Sequence, residues 1–188
     1  MTTHTDGTAP TRPDAGPVPF SRVKIRVGAL VFCGAEVALI RRDRPDSVHY
    51  TPPGGNVEAG EDLLVALRRE LSEELALDPA EASDPELVWV VDQMVSRPGP
   101  TPPPRKLHLI YRLHVGEAVR AGLATEEHDA LPGGGHEIGV VEWVDHRAAA
   151  GLPIFPPIGP ALAALTGPRG PVAHAGLPSV TDADYTWV

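Results

Sequence analysis

Residues 54–77 read GGNVEAGEDLLVALRRELSEELAL, and this stretch decides how the rest of the chain is understood. Apolar side chains recur at Leu63, Leu64, Leu67, Leu71 and Leu75, the spacing of one helical face. Glu61 and Asp62 stand at its start, where the helix dipole favours anions, and Pro79 closes it. Against the apolar stripe stand Glu70, Glu73 and Glu74. At about 100° per residue, Glu70 and Glu74 lie about 40° apart and Glu73 about 60° to the other side, so the three share one arc. Like charges four residues apart weaken a helix by about 0.2–0.5 kcal/mol. A solvated acidic face would account for the arc alone, but not for its flanks. Gly54 and Gly55 allow backbone carbonyls to approach a ligand closely, and the upstream arginines Arg41, Arg42 and Arg44 suit phosphate. Carboxylates beside a glycine loop and a basic strand end suit Mg²⁺ and a diphosphate, because Mg²⁺ takes one or two carboxylates plus waters and phosphate oxygens.

Upstream, Val23, Ile25 and Val27 alternate with Arg22, Lys24 and Arg26, a strand that runs on to Phe32. A second strand follows at Val37–Ile40, then a loop to Tyr50-Thr-Pro-Pro-Gly-Gly55. Downstream, Leu87–Val95 reads as a strand and the proline run of residues 97–104 as a stiff loop. In Lys106–Val115 the alternation puts Leu107, Leu109, Tyr111 and Leu113 on one face and His108, Arg112 and His114 on the other. Residues 116–136 read as a polar loop, Ile138–Val144 as a strand and Pro160–Leu165 as a short helix. Strands interrupted by helices predict a layered α/β (α+β) domain over residues 20–166. Residues 1–19 read as a disordered Pro-rich leader and residues 167–188 as a Pro/Gly-rich C-terminal tail.

Composition removes several classes of function. The chain has 188 residues and a formal net charge of −9, so a general nucleic-acid binder, which needs a basic surface, is not expected. No run approaches the roughly 18 apolar residues of a membrane span, and the N-terminus lacks an apolar signal core. The single cysteine, Cys33, excludes an intramolecular disulfide and a cysteine-based zinc site. A cytoplasmic location is the expectation.

The quoted stretch resembles the Nudix box, G-x5-E-x7-R-E-U-x-E-E-x-G-U with U a bulky aliphatic. Gly55, Glu61, Arg69, Glu70, Leu71, Glu73, Glu74 and Leu77 match, and Ala76 stands where the family has glycine. That position is the helix C-terminus, where a left-handed cap is usual; an alanine there costs about 1 kcal/mol if φ stays positive. The resemblance implies a mixed sheet sandwiched between helices, with the box forming loop–helix–loop. It implies hydrolysis of a nucleoside diphosphate linked to another moiety, using Mg²⁺ or Mn²⁺. It makes Glu70, Glu73 and Glu74 metal ligands, with the carbonyl of Gly55 a further one. Glu61 would orient that set, and Arg69 would hold a box glutamate in place. Members of the family often dimerise, so a homodimer is among the partners implied, besides a small-molecule nucleotide.

A carboxylate outside the helix is needed to accept the proton of the attacking water. Members of the MutT-like branch carry one five residues before a Glu-Trp pair, with an FPP segment downstream. Here Glu137 stands five before Glu142-Trp143, and Phe155-Pro156-Pro157 follows. Glu126, Glu127 and Asp129 compete for the role. Arg26 and Arg41 are candidates for phosphate or base contacts, against a solvated strand face. Tyr50 would stack on a base or pack in the core, and His108 and Arg112 would line the cleft from one strand face. Marks of other subtypes are missing: Gln93 replaces a proline of some ADP-ribose hydrolases, and no tyrosine lies between Leu77 and Tyr111. The asparagine that follows FPP in the MutT-like branch is also absent, since Ile158-Gly159 stands there. The expectation is therefore a metal-dependent nucleotide pyrophosphohydrolase. Nucleoside triphosphates lead over ADP-ribose and nucleotide sugars. The intact glutamates weigh against a nucleotide sensor without catalysis.

Overall fold

The computed structural model describes residues 22–96, 102–130 and 135–183. The leader, most of the proline-rich loop, and Tyr185 and Trp187 of the tail lie outside the described residues. The elements in chain order begin with β1 (Val23–Cys33), β2 (Glu36–Arg44), β3 (Ser47–Thr51) and α1 (Leu63–Leu75). They continue with β4 (Glu86–Met94), β5 (Arg105–His114), α2 (Glu117–Arg120), β6 (Glu126–Ala130) and β7 (His136–Asp145). A 3-10 turn (His146–Gly151), α3 (Gly159–Ala163) and β8 (Val180–Thr181) complete the order. The strands form one mixed sheet ordered β6-β7-β2-β1-β5-β4-β8, with β3 alongside β2. β1 runs parallel to β5, and β8 parallel to β4; the other pairs are antiparallel.

Both faces of the sheet are covered. On one, α1 buries Ala66, Leu67, Leu71 and Leu75 against Val27, Ala29, Val31, Ala38, Ile40 and Leu113. Each fully buried leucine contributes about 1.5–3 kcal/mol. On the other, α3 and the 3-10 turn place Ala149, Ile158 and Leu162 over Leu30, Phe32, Leu39, Trp89 and Ile110. A central strand buried on both faces loses strict alternation, which is why β1 is apolar throughout from Val27 to Cys33. The helix spans the expected residues. Asp62 caps it by accepting the Leu64 N–H at 2.9 Å, and Ala76 ends it at φ 53°. Leu77 N–H then donates to the Leu71 carbonyl at 3.2 Å.

β3 and β6 fall in segments read as loops, and β2 runs past Ile40 through Arg41-Arg42-Asp43-Arg44. β3 pairs with this extension of β2 and packs Tyr50 in the core. The extension and β6 are polar, and ion pairs from Arg41 to Glu142 and from Arg42 to Glu127 tie them across the sheet. α2 is a single turn inside the segment read as polar loop; its Arg120 pairs with Glu36 at 2.5 Å and lies over the Trp143 ring. The segment after Gly167, read as a tail, packs on the sheet. Val180 pairs with Gln93, Gly176 bridges to Val90, and the carbonyls of Pro168 and Gly170 accept from Arg112 at 3.1 and 2.8 Å.

Candidate active site

β1 and β2 are hydrogen-bonded neighbours only at Phe32↔Val37 and Cys33↔Glu36. Beyond that they part, and β3 takes the place of β1 along β2. The gap is filled by the chain after β3: Ala29 N–H donates to Pro53 O (2.8 Å), Val27 N–H to Gly55 O (3.0 Å) and Val57 N–H to Ile25 O (3.0 Å). The two glycines therefore sit within the sheet. Gly54 has φ 140°, and a Cβ there would lie 2.2 Å from Val27 O. A Cβ on Gly55 would lie 2.2 Å from Glu70 Oε1. The glycine loop is thus pressed between a strand and the acidic face of α1. The Gly55 carbonyl, the implied metal ligand, already accepts from β1; a carbonyl oxygen has a second lone pair for a further partner.

Arg69 organises the helix carboxylates. Its Nε and Nη2 donate to Glu61 at 2.9 and 3.0 Å, and its Nη1 donates to Glu70 at 2.9 Å and Glu73 at 3.3 Å. Nη2 also donates to the Asn56 carbonyl at 3.1 Å, tying the helix to the loop. Glu61 in turn accepts the Glu58 N–H at 3.0 Å. These bonds to Arg69 hold the Glu61 carboxyl below its usual range. Burial raises the pKa of Glu70, against the pull of Arg69. Glu74 is pushed up to about 8, first by burial, with Glu127 and Glu70 adding repulsion. The Gly54 N–H, which donates to Glu74 Oε2 at 2.6 Å, opposes the shift.

A cleft of about 300 Å³ opens where β1 and β2 part. Its wall carries the cations Arg26, Arg42, Arg44 and Lys106 and the carboxylates Glu74, Asp129 and Glu137. His49, His108, Phe155 and Pro156 also line it. Arg26 donates to Gly54 O at 3.3 Å and to Asn56 Oδ1 at 3.4 Å. Burial lowers its pKa, and the carboxylates of Glu70 and Glu74 oppose that. His108 bonds Gln93 through Nε2 at 2.8 Å and meets the Phe155 ring edge-on. Burial, with Arg26 and Lys106 nearby, lowers its pKa to about 3 and keeps the ring neutral.

The structure brings Arg26, Glu74 and Glu137 to this one cleft, with Glu70 beside Gly55. Glu73 points outward and is 60% exposed. Of the residues competing with Glu137, Asp129 reaches the wall, whereas Glu127 is buried against Arg42. Three substrate candidates are not brought to the cleft. Arg41 and Tyr50 project away from Arg42 and do not line the cleft; both are bonded to Glu142, at 2.9 and 3.0 Å. Tyr50 packs in the core there instead of offering a stacking face. Arg112 is buried, 4% exposed, and bonded to Glu86 at 2.7 Å and to the carbonyls of the C-terminal segment. The strand face assigned to His108 and Arg112 is open only at its His108 end. His49 and Lys106 were missed as cleft residues, and Arg42 was named only among upstream arginines that suit phosphate. The signal for Arg42 was strand parity, since it shares a face with Ala38 and Ile40, which meet α1.

Among the described residues, no three His, Cys, Asp or Glu side chains already stand as a metal-holding cluster. Their oxygens are turned to Arg69 and to the Gly54 N–H instead. The donor set nevertheless fits a hard divalent cation. Glu70 and Glu74 are one helical turn apart on the glycine loop, and burial penalises both negative charges, a cost that a cation relieves. Two carboxylates suffice for Mg²⁺ when phosphate oxygens and water complete the shell.

The NUDIX domain model matches residues 23–165. No curated protein matches the chain. Among solved structures, a MutT protein from Bacillus halodurans aligns at 18% identity and TM-score 0.50, covering 84% of this chain and 88% of that one. The MutT protein from Methanosarcina mazei aligns at 19% identity and TM-score 0.50, covering 74% and 89%. The ORF135 protein of E. coli aligns at 25% identity and TM-score 0.49, covering 79% and 92%. At these identities the likeness to the two MutT proteins speaks for the fold alone.

Proposed function

Because the chain belongs to the Nudix family, we propose that it hydrolyses a diphosphate linkage in a nucleoside triphosphate or another nucleoside diphosphate derivative, with Mg²⁺ or Mn²⁺. The observation that carries this reading is the cleft itself. In a chain of net charge −9, four cations converge on one opening that also holds the half-buried carboxylate of Glu74. Cations recognise phosphates, and a half-buried carboxylate beside them serves a metal.

When bound, the metal ion neutralises phosphate charge and lowers the pKa of its water. Glu70 and Glu74 hold it, with Glu73 and the Gly55 carbonyl as further ligands. Arg69 and Glu61 keep those carboxylates in register with the loop. Arg26, which lines the cleft beside Glu74, binds phosphate oxygens. Glu137, in the cleft wall and 30% exposed, accepts the proton of the attacking water. Phe155 and Pro156, from the segment that suggested a triphosphate substrate, line the same cleft. They support triphosphates over ADP-ribose and nucleotide sugars. The internal pairing of the carboxylates favours a second reading, a domain that binds a nucleotide without turning it over.

The test is phosphate and pyrophosphate release with Mg²⁺, then Mn²⁺, across nucleoside triphosphates, ADP-ribose, nucleotide sugars and a dinucleoside polyphosphate. Turnover by the wild-type protein and its loss by orders of magnitude in a folded Glu74→Gln variant are expected. A folded protein that binds a nucleotide but releases nothing would leave the second reading.

A further inference from the structure

Beneath the cleft lies a buried ion pair that the reaction above does not use. Arg42 Nη2 meets Glu127 Oε2 at 2.6 Å, with side chains 9% and 5% exposed. A buried pair is weak evidence for stability, because desolvation offsets the attraction and apolar replacement is often neutral or better. This chain nevertheless makes room for one. Gly139 on β7 stands opposite Glu127 on β6, and a Cβ there would lie 2.8 Å from Glu127 Oε2 and 2.4 Å from Ile40 Cγ2.

The pairing sets the position of the whole guanidinium. Nη1 donates to Thr51 Oγ1 at 3.0 Å, Nη2 also reaches Asp129 at 3.4 Å, and Nε lies 3.7 Å from Glu137 Oε2. Asp129 and Glu137 face each other across β6 and β7, on the same side as Glu127 and Gly139. Glu127 thus takes the tightest contact on the inner side, and Glu137 is held only at long range on the cleft side. We infer that Glu127 is a positioning residue: it anchors Arg42 and, through Arg42, keeps Glu137 aimed into the cleft instead of locked in a tight ion pair. Without the Glu127 charge, the buried guanidinium has Asp129 at 3.4 Å and Glu137 at 3.7 Å as its remaining carboxylates, and a close pair with Glu137 would take the base out of use. This rests on the hydrolase reading with Glu137 as the proton acceptor.

The test is a double-mutant cycle on the full chain, read as kcat and KM on whichever nucleotide the wild-type protein turns over, with a thermal melt for each variant. Glu127→Gln should lower kcat at least about tenfold and change KM by less than about threefold. Glu127→Asp, which keeps the charge, should recover part of the loss; if Glu127→Gln does not fold, the cycle is run on Glu127→Asp. On a Glu137→Gln background the Glu127 change should cost less than about twofold more, because the residue acts through Glu137. Undiminished kcat in the folded single variant, a loss confined to KM, or fully additive losses would each overturn the inference and leave the hydrolase reading standing. No turnover by the wild-type protein would overturn both.

Discussion

Glu74 should make the metal-free protein less stable as the pH rises, and the size of the effect follows from its surroundings. Its carboxyl is pushed up from 4.5 to about 8, chiefly by burial. Below the lower value the group is protonated in the folded and the unfolded chain alike and has no effect. Between the two values the unfolded chain ionises first, so stability falls; above about 8 the penalty is complete. At about 1.4 kcal/mol per unit, the full shift is on the order of 5 kcal/mol. The perturbation is Glu74→Gln, which keeps an acceptor for the Gly54 N–H and removes the titration. The assay is urea unfolding of both proteins in chelator at pH 5 and pH 8.5. Relative to wild type, the variant should gain several kcal/mol more at the higher pH. Saturating Mg²⁺ at pH 8.5 should restore about 2–3 kcal/mol to the wild-type protein at roughly a hundred times its dissociation constant, and little to the variant. A difference between the two proteins that does not change with pH would refute the reasoning, since the raised pKa of Glu74 is its premise.

Other outcomes follow from single geometric facts. Ala76 sits at φ 53°, so Ala76→Gly should stabilise the chain by about 0.5–1 kcal/mol after the extra freedom of glycine in the unfolded state is counted. That is a rise of roughly 1–4 °C in a thermal melt. Gly55→Ala would put a methyl against Glu70 Oε1 at 2.2 Å; the fold should survive in circular dichroism, while kcat/KM falls by at least about tenfold. Arg112→Ala would strand the exposed-side Glu86 and two carbonyls of the C-terminal segment. It should cost about 1–3 kcal/mol in chemical denaturation, from the lost hydrogen bonds, and leave KM of the folded protein unchanged. Arg41→Gln should change KM by less than about twofold, because Arg41 is spent on Asp43 and Glu142 outside the cleft.

What residues 54–77 determined by themselves was a helix, its ends and its acidic arc. Helical neighbours are three and four residues apart, so one short stretch carries the cap at Asp62, the buried leucines and the grouping of Glu70, Glu73 and Glu74. Even the strained cap at Ala76 was legible, because glycine belongs there by local backbone sterics.

 The strand residues were different. Along β2, Arg41 and Arg42 are adjacent in sequence and look equivalent, yet they project to opposite faces. Only the pairing of β2 with β7 and β3 decides that Arg42 reaches the cleft and Arg41 meets Tyr50 and Glu142. The same holds for β6. Glu-Glu-His-Asp reads as a loop until Arg42, eighty-five positions from Glu127, supplies the charge that holds it against β7. Arg112 looked like a cleft residue until the C-terminal segment folded back over it. Local spacing determines what a helix presents. Which face of a strand is covered, and by what, depends on partners far away in the chain, and only the tertiary structure decides it.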